Sequence, residues 1–130
     1  MTEPAGPRPR TLLPWLPPVL WMLVIFGGSS VPGRDIPSGY SVYGHLGEYC
    51  ILGVLVMLAV RRTWPDWRLR APALALAIAS AYGVTDELHQ FLSPGRTPDP
   101  TDWAADTIGA AVGIALALAV LAWSRKRARR

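Results

Sequence analysis

Residues 102–123 read DWAADTIGAAVGIALALAVLAW. Asp102 and Asp106 stand in the opening turns, and the remainder of the stretch carries no charged residue. A helix of about 20 apolar residues crosses a hydrocarbon layer of about 30 Å. The stretch therefore predicts a membrane-spanning helix that runs to about Trp123, and we expect either Thr101 or Asp102 to cap its start.

Three more apolar blocks precede this one, and 51% of the chain is hydrophobic. Because the apolar residues come in long blocks rather than in alternating patterns, they favour helices buried in lipid over a water-soluble core. We predict an all-α integral membrane protein, a four-transmembrane-helix bundle, with spans at about 12–31, 42–60, 71–92 and 102–123.

The ends of the chain differ in composition from this transmembrane domain, which covers residues 12–123. Residues 1–11 are rich in proline and arginine without periodicity, which predicts a disordered cytoplasmic tail. Residues 124–130 form a basic cytoplasmic tail that we expect to fix topology and to contact anionic lipid.

The distribution of positive charge predicts the orientation. Of the 13 Lys and Arg residues, all except Arg34 and Arg96 fall in the N-terminal tail, in the segment 61–70 or in the C-terminal tail. Under the positive-inside rule both termini lie in the cytoplasm (N-in/C-in), as an even number of spans requires. We attribute the net charge of +4 to topology and predict no nucleic-acid partner. The single cysteine, Cys50, excludes an intramolecular disulfide.

Polar residues gather at the opposite, outer side of the predicted membrane. Within the helices they recur at three- or four-residue spacing, which places them on shared helix faces. A charged side chain near the bilayer centre costs at least about 2.5 kcal/mol, so such residues mainly face the bundle interior or serve a site. We predict an outward-facing polar pocket formed by His45, Glu48, Asp86, His89, Gln90, Arg96 and Asp106.

Some of these residues have a structural alternative. His45 and Glu48 form either a pair of metal or headgroup ligands or a hydrogen-bonded clasp between helices. Arg96 either binds a phosphate-bearing ligand or pairs with Asp99 in a solvated loop. Asp106 lies too deep to cap its helix, which makes it a stronger functional candidate than Asp102.

Two further sequence features bear on the inner faces of the helices. Gly109 and Gly113 continue the stripe of Asp102 and Asp106 as a G-x-x-x-G pair, which predicts that this face meets another helix. Glu87 and His89 cannot both fully share the helix face of Asp86, so we rank Glu87 below Asp86, His89 and Gln90 and leave it out of the predicted pocket.

Several motifs resemble those of the VanZ-like family, over residues from about 15 to 122. They are Gly44-His45-Leu-Gly-Glu48-Tyr49 with Leu52-Gly53, Tyr82-Gly83-Val-Thr-Asp86-Glu87-Leu-His89-Gln90, Pro94-Gly95-Arg96, and Asp102 through Asp106 to Gly109. The family takes its name from an accessory protein of glycopeptide resistance, chiefly to teicoplanin. The resemblance implies a multi-pass plasma-membrane protein of the cell envelope and names no reaction.

Three hypotheses for function follow from the sequence. The first is an envelope protein that binds a lipid-linked cell-wall precursor or a glycopeptide-related ligand in the outer pocket, with a role in teicoplanin resistance. The second is an intramembrane hydrolase or transferase in which carboxylates and histidines hold a divalent metal and act on a lipid headgroup. The third is a small oligomeric transporter or flippase. The sequence leaves catalysis, any cofactor and the oligomeric state open.

Overall fold

A computed structural model of the chain describes residues 12–36 and 40–130. This part of the chain is all-helical and contains no strand, as predicted. The four α-helices are α1 (Leu16–Ser29), α2 (Tyr40–Thr63), α3 (Ala71–Gln90) and α4 (Pro100–Ala128), with short 3₁₀ turns at Leu13–Trp15 and Gly33–Asp35. The predicted disordered tail, residues 1–11, lies outside the described residues.

Two of these helices are long and apolar enough to cross a membrane. They are α2, from Val42 to Thr63, and α4, while the apolar stretch that includes α1 is shorter, from Leu13 to Ser29. Large apolar side chains are exposed on the outside of the bundle, for example Leu23 of α1 and Leu88 of α3. A soluble monomer rarely exposes so much apolar surface. The architecture is therefore consistent with a helical membrane protein.

The start of α4 differs from the prediction, because Asp99 is the cap rather than Thr101 or Asp102. The Asp99 side chain accepts a hydrogen bond from the Thr101 N–H at 2.8 Å, and the helix begins at Pro100. Proline suits the first helical position because its missing N–H would have no partner there. The hydrogen bonds from Thr101 favour the charged carboxylate and lower the pKa of Asp99 below its usual value.

The far end of α4 also extends beyond the predicted limit at Trp123. The helix continues to Ala128, so most of the basic tail, residues 124–130, is helical. The Arg127 guanidinium lies 4.0 Å from the centre of the Trp123 ring. A cation over an indole ring is a favourable contact, and here it joins the tail to the apolar part of α4.

The closest packing in the bundle is between α2 and α4, which run parallel. A Cβ atom built on Gly113 would overlap the Cys50 carbonyl, and one built on Gly109 would lie 2.5 Å from the Leu46 carbonyl oxygen. From the opposite side, Gly53 of α2 approaches the Ala110 carbonyl in the same way. The G-x-x-x-G pair therefore admits the backbone of a neighbouring helix, as predicted.

In contrast, α1 is held by side-chain hydrogen bonds. The Trp15 indole donates to Thr63 Oγ1 at 2.9 Å, and the Trp21 indole donates to the Glu48 carbonyl at 2.9 Å. The Tyr82 hydroxyl of α3 donates to the Met22 carbonyl at 2.6 Å. These bonds place the start of α1 at the end of α2, so the two helices are antiparallel.

The two ends of the bundle differ in chemistry. One end, where α1 and α3 finish and α2 and α4 begin, holds the buried ionisable residues, and we call it the polar end. The other end carries a group of tryptophans, in which Trp64 packs edge-on against Trp15 and stacks on Trp67. Arginine and lysine residues border this second end, which we call the basic end.

Candidate functional site

The centre of the polar end is a contact between α2 and α4. His45 Nδ1 lies 2.7 Å from Asp106 Oδ1, and His45 Nε2 lies 3.8 Å from Asp102 Oδ2. The Asp106 residue is 0% exposed, and His45 is also buried. Asp102 and Asp106 lie one turn apart on the inner face of α4, so both carboxylates reach the same imidazole.

Glu87 of α3 completes this arrangement. One ligand atom each from His45, Glu87 and Asp106 can be chosen so that all three lie within 4.8 Å of one another. Glu87 Oε2 accepts a hydrogen bond from the Asp99 backbone N–H at 3.0 Å, which ties the carboxylate to the start of α4. We call the residues His45, Glu87, Asp102 and Asp106 the acid–histidine cluster.

Three polar atoms at this end have no hydrogen-bond partner among the described residues, although all are buried. They are Asp106 Oδ2, Glu87 Oε1 and the Tyr49 hydroxyl. A buried polar atom without a partner costs about 1 to 3 kcal/mol, and more when the group is charged. Such atoms call for a specific explanation, such as a bound ion or water.

Gly83 of α3 provides the space that the Asp106 carboxylate occupies. A Cβ atom at this position would lie 3.0 Å from Asp106 Oδ2 and 3.2 Å from Trp103 Cδ1. Both separations are shorter than the 3.5 to 4.0 Å of an optimal contact between carbon atoms. A Cβ atom at position 83 would therefore require the Asp106 carboxylate and the Trp103 ring to move by a few tenths of an ångström.

A second polar group lies between α1 and α3, and we call it the serine–carboxylate cluster (Ser29, Asp86, Gln90 and Ser93). The Ser29 hydroxyl donates to Asp86 Oδ1, and Gln90 Nε2 donates to Asp86 Oδ2 at 3.2 Å. The Ser93 hydroxyl donates to the Ser29 carbonyl at 2.9 Å. Both Asp86 oxygens thus accept hydrogen bonds, and the cluster connects the end of α1 to α3 and to the segment that follows it.

His89 lies on the α1 side of α3, apart from the acid–histidine cluster. Its Nε2 is 2.9 Å from the Ser30 hydroxyl, and its ring stacks on Phe26 with 3.9 Å between the ring centres. The histidine is only partly buried. The structure therefore assigns the two histidines different surroundings.

Glu48 and Arg96 complete the residues predicted from the sequence. The Glu48 carboxylate faces α1, where its Oε1 lies 3.9 Å from a Cβ atom built on Gly28. Arg96 lies in the loop after α3, and its Cγ is 3.5 Å from a Cβ atom built on Gly33. The structure thus brings His45 and Asp106 into direct contact and groups Asp86 with Gln90. The other three predicted residues lie outside these two contacts: Glu48, His89 and Arg96.

Sequence reasoning left out Glu87, Tyr49 and Gly83. A signal for Glu87 was present, because small residues recur every four positions in α3, and Glu87 continues the series Ala71, Ala75, Ala79 and Gly83. Tyr49 stands four residues after His45 on the inner face of α2, within electrostatic reach of both Asp106 and Asp86. This stripe of small residues marks a face of α3 that packs closely, but it does not specify which helix that face meets.

The two long apolar helices, the apolar exterior and the ionisable groups enclosed at one end are consistent with a helical membrane protein. The chain belongs to the VanZ/LLP1 family, because the model of that family matches residues 40–122. The matched range covers α2, α3 and most of α4, and it includes the whole acid–histidine cluster. Searches of curated proteins and of solved structures each gave no match.

Proposed function

We propose that this VanZ-like protein spans the plasma membrane four times and keeps both termini in the cytoplasm. Each helix exposes large apolar side chains, such as Leu23, Ile51, Leu88 and Val120 of α1 to α4 respectively. At 1.5 Å per residue, the 20 residues of α3 extend about 30 Å, enough to cross the hydrocarbon layer. Its carboxylates lie in the last turns, near the expected membrane surface.

Charge supports the same orientation for the bundle. The segment between α2 and α3 and the end of α4 are both basic and both lie at the basic end, which the positive-inside rule places in the cytoplasm. The polar end then faces outward. Thr97, in the loop between α3 and α4, lies at this end.

Single-cysteine labelling tests the orientation. In a Cys50→Ser background, we expect a membrane-impermeant maleimide to label Thr97→Cys in intact cells. Ala128→Cys should react only after the membrane is permeabilised. Labelling of Ala128→Cys in intact cells, or protection of Thr97→Cys, would contradict the proposed topology.

We further propose that the outer surface binds the anionic headgroup of a lipid-linked cell-wall precursor or of a glycopeptide-related ligand. The observation that carries this proposal is a contact between the two outer loops. The Gly33 N–H donates to the Pro94 carbonyl at 3.1 Å, and the loop backbones approach so closely that a Cβ atom built on Gly33 would overlap the Gly95 carbonyl. We call this contact the loop clasp.

The loop clasp brings together the two basic residues that lie outside the cytoplasmic segments. Arg34 directly follows Gly33 and is exposed, while Arg96 directly follows Gly95 and packs against Gly33. Guanidinium groups bind phosphate oxygens in a bidentate manner. Two of them on neighbouring loops, at the level expected for lipid headgroups, suit a phosphate or pyrophosphate group.

A binding measurement in nanodiscs tests this assignment. We expect a polyprenyl-pyrophosphate lipid to bind about tenfold or more weakly to Arg96→Gln, since a hydrogen bond to a charged group contributes about 1.5 to 3 kcal/mol. Arg62→Gln removes the same charge at the other end of the bundle, and this variant should bind like the wild type. Equal binding by all three proteins would refute the assignment.

Two further comparisons identify the ligand class. Uncharged polyprenol should not compete with the pyrophosphate lipid, whereas free pyrophosphate should compete only weakly if the lipid part also contributes. If the ligand is related to glycopeptides, teicoplanin should bind the wild type and Arg62→Gln more tightly than Arg96→Gln. A role in resistance predicts that expression raises the inhibitory concentration of teicoplanin and that Arg96→Gln abolishes the increase.

A metal-dependent intramembrane hydrolase or transferase is the second candidate. The specific observation in its favour is the buried set His45, Glu87 and Asp106, which comes from three different helices. A bound metal could polarise a phosphoryl oxygen of a headgroup. Release of phosphate from the pyrophosphate lipid by the wild type, and its loss in Asp106→Asn, would support catalysis; binding without turnover would leave the headgroup-binding function.

A further inference from the structure

We propose that His45, Glu87 and Asp106 form a binding site for one divalent transition-metal cation. The site lies below the outer loops, inside the bundle, and is separate from the arginines of the loop clasp. It goes beyond the proposed headgroup binding, because either property can hold without the other. It shares its residues with the metal-dependent alternative, but metal binding is measured without turnover and holds whether or not catalysis occurs.

The ligand set has the composition of a metal site. An imidazole nitrogen and two carboxylate oxygens converge within 4.8 Å, each from a different helix. Neighbouring ligand atoms around a tetrahedral metal with bonds of about 2.1 Å lie about 3.4 Å apart. Modest side-chain rotations therefore suffice to close the three groups around one ion.

Two carboxylate oxygens in the cluster have lone pairs that the described residues do not use. Asp106 Oδ2 and Glu87 Oε1 are fully buried and lack hydrogen-bond partners among these residues. Both residues are more than nine-tenths buried, so bulk water does not replace the missing partner. A bound cation supplies what each oxygen lacks.

The charge of the cluster points in the same direction. Three carboxylates, those of Glu87, Asp102 and Asp106, surround a single histidine. If all three carboxylates are ionised, even a protonated imidazole leaves two negative charges in a largely buried part of the bundle, which is costly. One divalent cation would neutralise them.

The surroundings orient the ligands as those of metal sites usually do. Glu87 Oε2 is fixed by the Asp99 N–H at 3.0 Å, which leaves Oε1 as the free ligand atom. Asp106 has its second oxygen in the space left by Gly83. Hydrogen bonds of this kind around a site normally hold the ligands in place and raise the affinity for metal.

The identity of the ligands indicates the class of metal. Imidazole suits Zn²⁺ and other late first-row transition metals, and carboxylates also suit Mn²⁺, whereas Mg²⁺ and Ca²⁺ prefer sites made of oxygen atoms only. We therefore expect Zn²⁺ and Mn²⁺ to bind more tightly than Mg²⁺. Tightest binding of Mg²⁺ would overturn the role of His45 as a ligand.

The full chain, purified in detergent and stripped with a chelator, can be titrated with Zn²⁺ and Mn²⁺ by calorimetry, with bound metal counted by mass spectrometry. The expected result for the wild type is one equivalent per chain. Asp106→Asn and Glu87→Gln preserve side-chain shape and should each weaken binding about 100-fold or more, since even loss of an outer hydrogen bond costs 10- to 100-fold.

Asp86→Asn is the matched control. Asp86 is as buried as Asp106 and adjoins Glu87 in α3, yet both of its oxygens already accept hydrogen bonds. This variant should keep the affinity of the wild type. Helical circular dichroism and gel filtration verify that each variant is folded, and Glu87→Gln provides a second reading should Asp106→Asn fail to fold.

Two results would overturn the proposal. One is less than a tenth of an equivalent of either metal on the folded wild type. The other is equal loss of binding in Asp86→Asn and in the two ligand variants. Headgroup binding is measured with the lipid and Arg96→Gln, so its failure and the failure of the metal site are distinguishable.

Discussion

Replacing Gly113 by alanine tests the tightest contact of the fold, that between α2 and α4. The added methyl group would overlap the Cys50 carbonyl oxygen and lie 2.8 Å from the Cys50 carbonyl carbon and 3.0 Å from the Val54 nitrogen. All three are backbone atoms of a regular helix, so no side chain can rotate away. The two helices must separate.

The size of the effect follows from these distances. Carbon atoms in optimal contact are about 3.5 to 4.0 Å apart, so relief of the contact with the Cys50 carbonyl carbon alone requires a local separation of roughly 0.7 to 1.2 Å. Such a shift also weakens the neighbouring contacts at Gly109 and Gly53. Forcing an extra methyl group into a well-packed core costs about 1 to 3 kcal/mol, and we expect the upper half of that range here because the obstacle is backbone.

Equilibrium unfolding by sodium dodecyl sulfate in mixed micelles, followed by the fluorescence of the six tryptophans, measures the change. Gly47→Ala is the control, because that helical glycine is exposed and nothing lies within 4 Å of its added Cβ. The control should be neutral or more stable by up to about 1 kcal/mol. Equal free energies of unfolding for Gly113→Ala and Gly47→Ala would refute the close approach of α2 and α4.

Two further predictions concern single hydrogen bonds. Tyr82→Phe removes the bond to the Met22 carbonyl and should lower the free energy of unfolding by about 1 kcal/mol, whereas Tyr43→Phe, at a residue 80% exposed, should change nothing measurable. Because the pKa of Asp99 is lowered in the folded protein, its cap contributes fully above the ordinary pKa of 3.8 and is lost as pH falls through the lower folded value. The protection factor of the Thr101 amide should fall over that acidic range in the wild type and stay constant in Asp99→Asn; an identical pH profile for both proteins would contradict the cap.

The helices themselves could be predicted from the sequence, because hydrophobic blocks separated by proline and arginine leave few alternatives. Their exact starts could not always be predicted. Pro100 suits the first helical position and marks the preceding residue, Asp99, as the cap. Thr101 and Asp102 are also residue types that cap helices, so the sequence alone left several possible starts.

Which residues form the site was harder to predict, because spacing along a helix shows which residues share a face but not which neighbouring helix that face meets. Asp86 and Glu87 are adjacent in sequence and thus point about 100° apart around α3. The structure directs Asp86 toward α1 and Glu87 toward α2 and α4. Which of the two carboxylates lies near His45 depends on how the helices are arranged, and the spacing of residues within one helix does not specify that arrangement.

The attachment of α1 by side-chain hydrogen bonds has a consequence for chain connectivity. The hydrogen bonds of Trp15, Trp21 and Tyr82 and the one between Ser29 and Asp86 join the segment 15–29 directly to α2 or α3. Besides carrying the loop clasp, the covalent link between α1 and α2 raises the effective concentration of α1 near its partners. If the chain is divided within residues 37–39, we expect the fragment that contains α1 to associate in the bilayer with the fragment that contains α2, α3 and α4, as a separate subunit would.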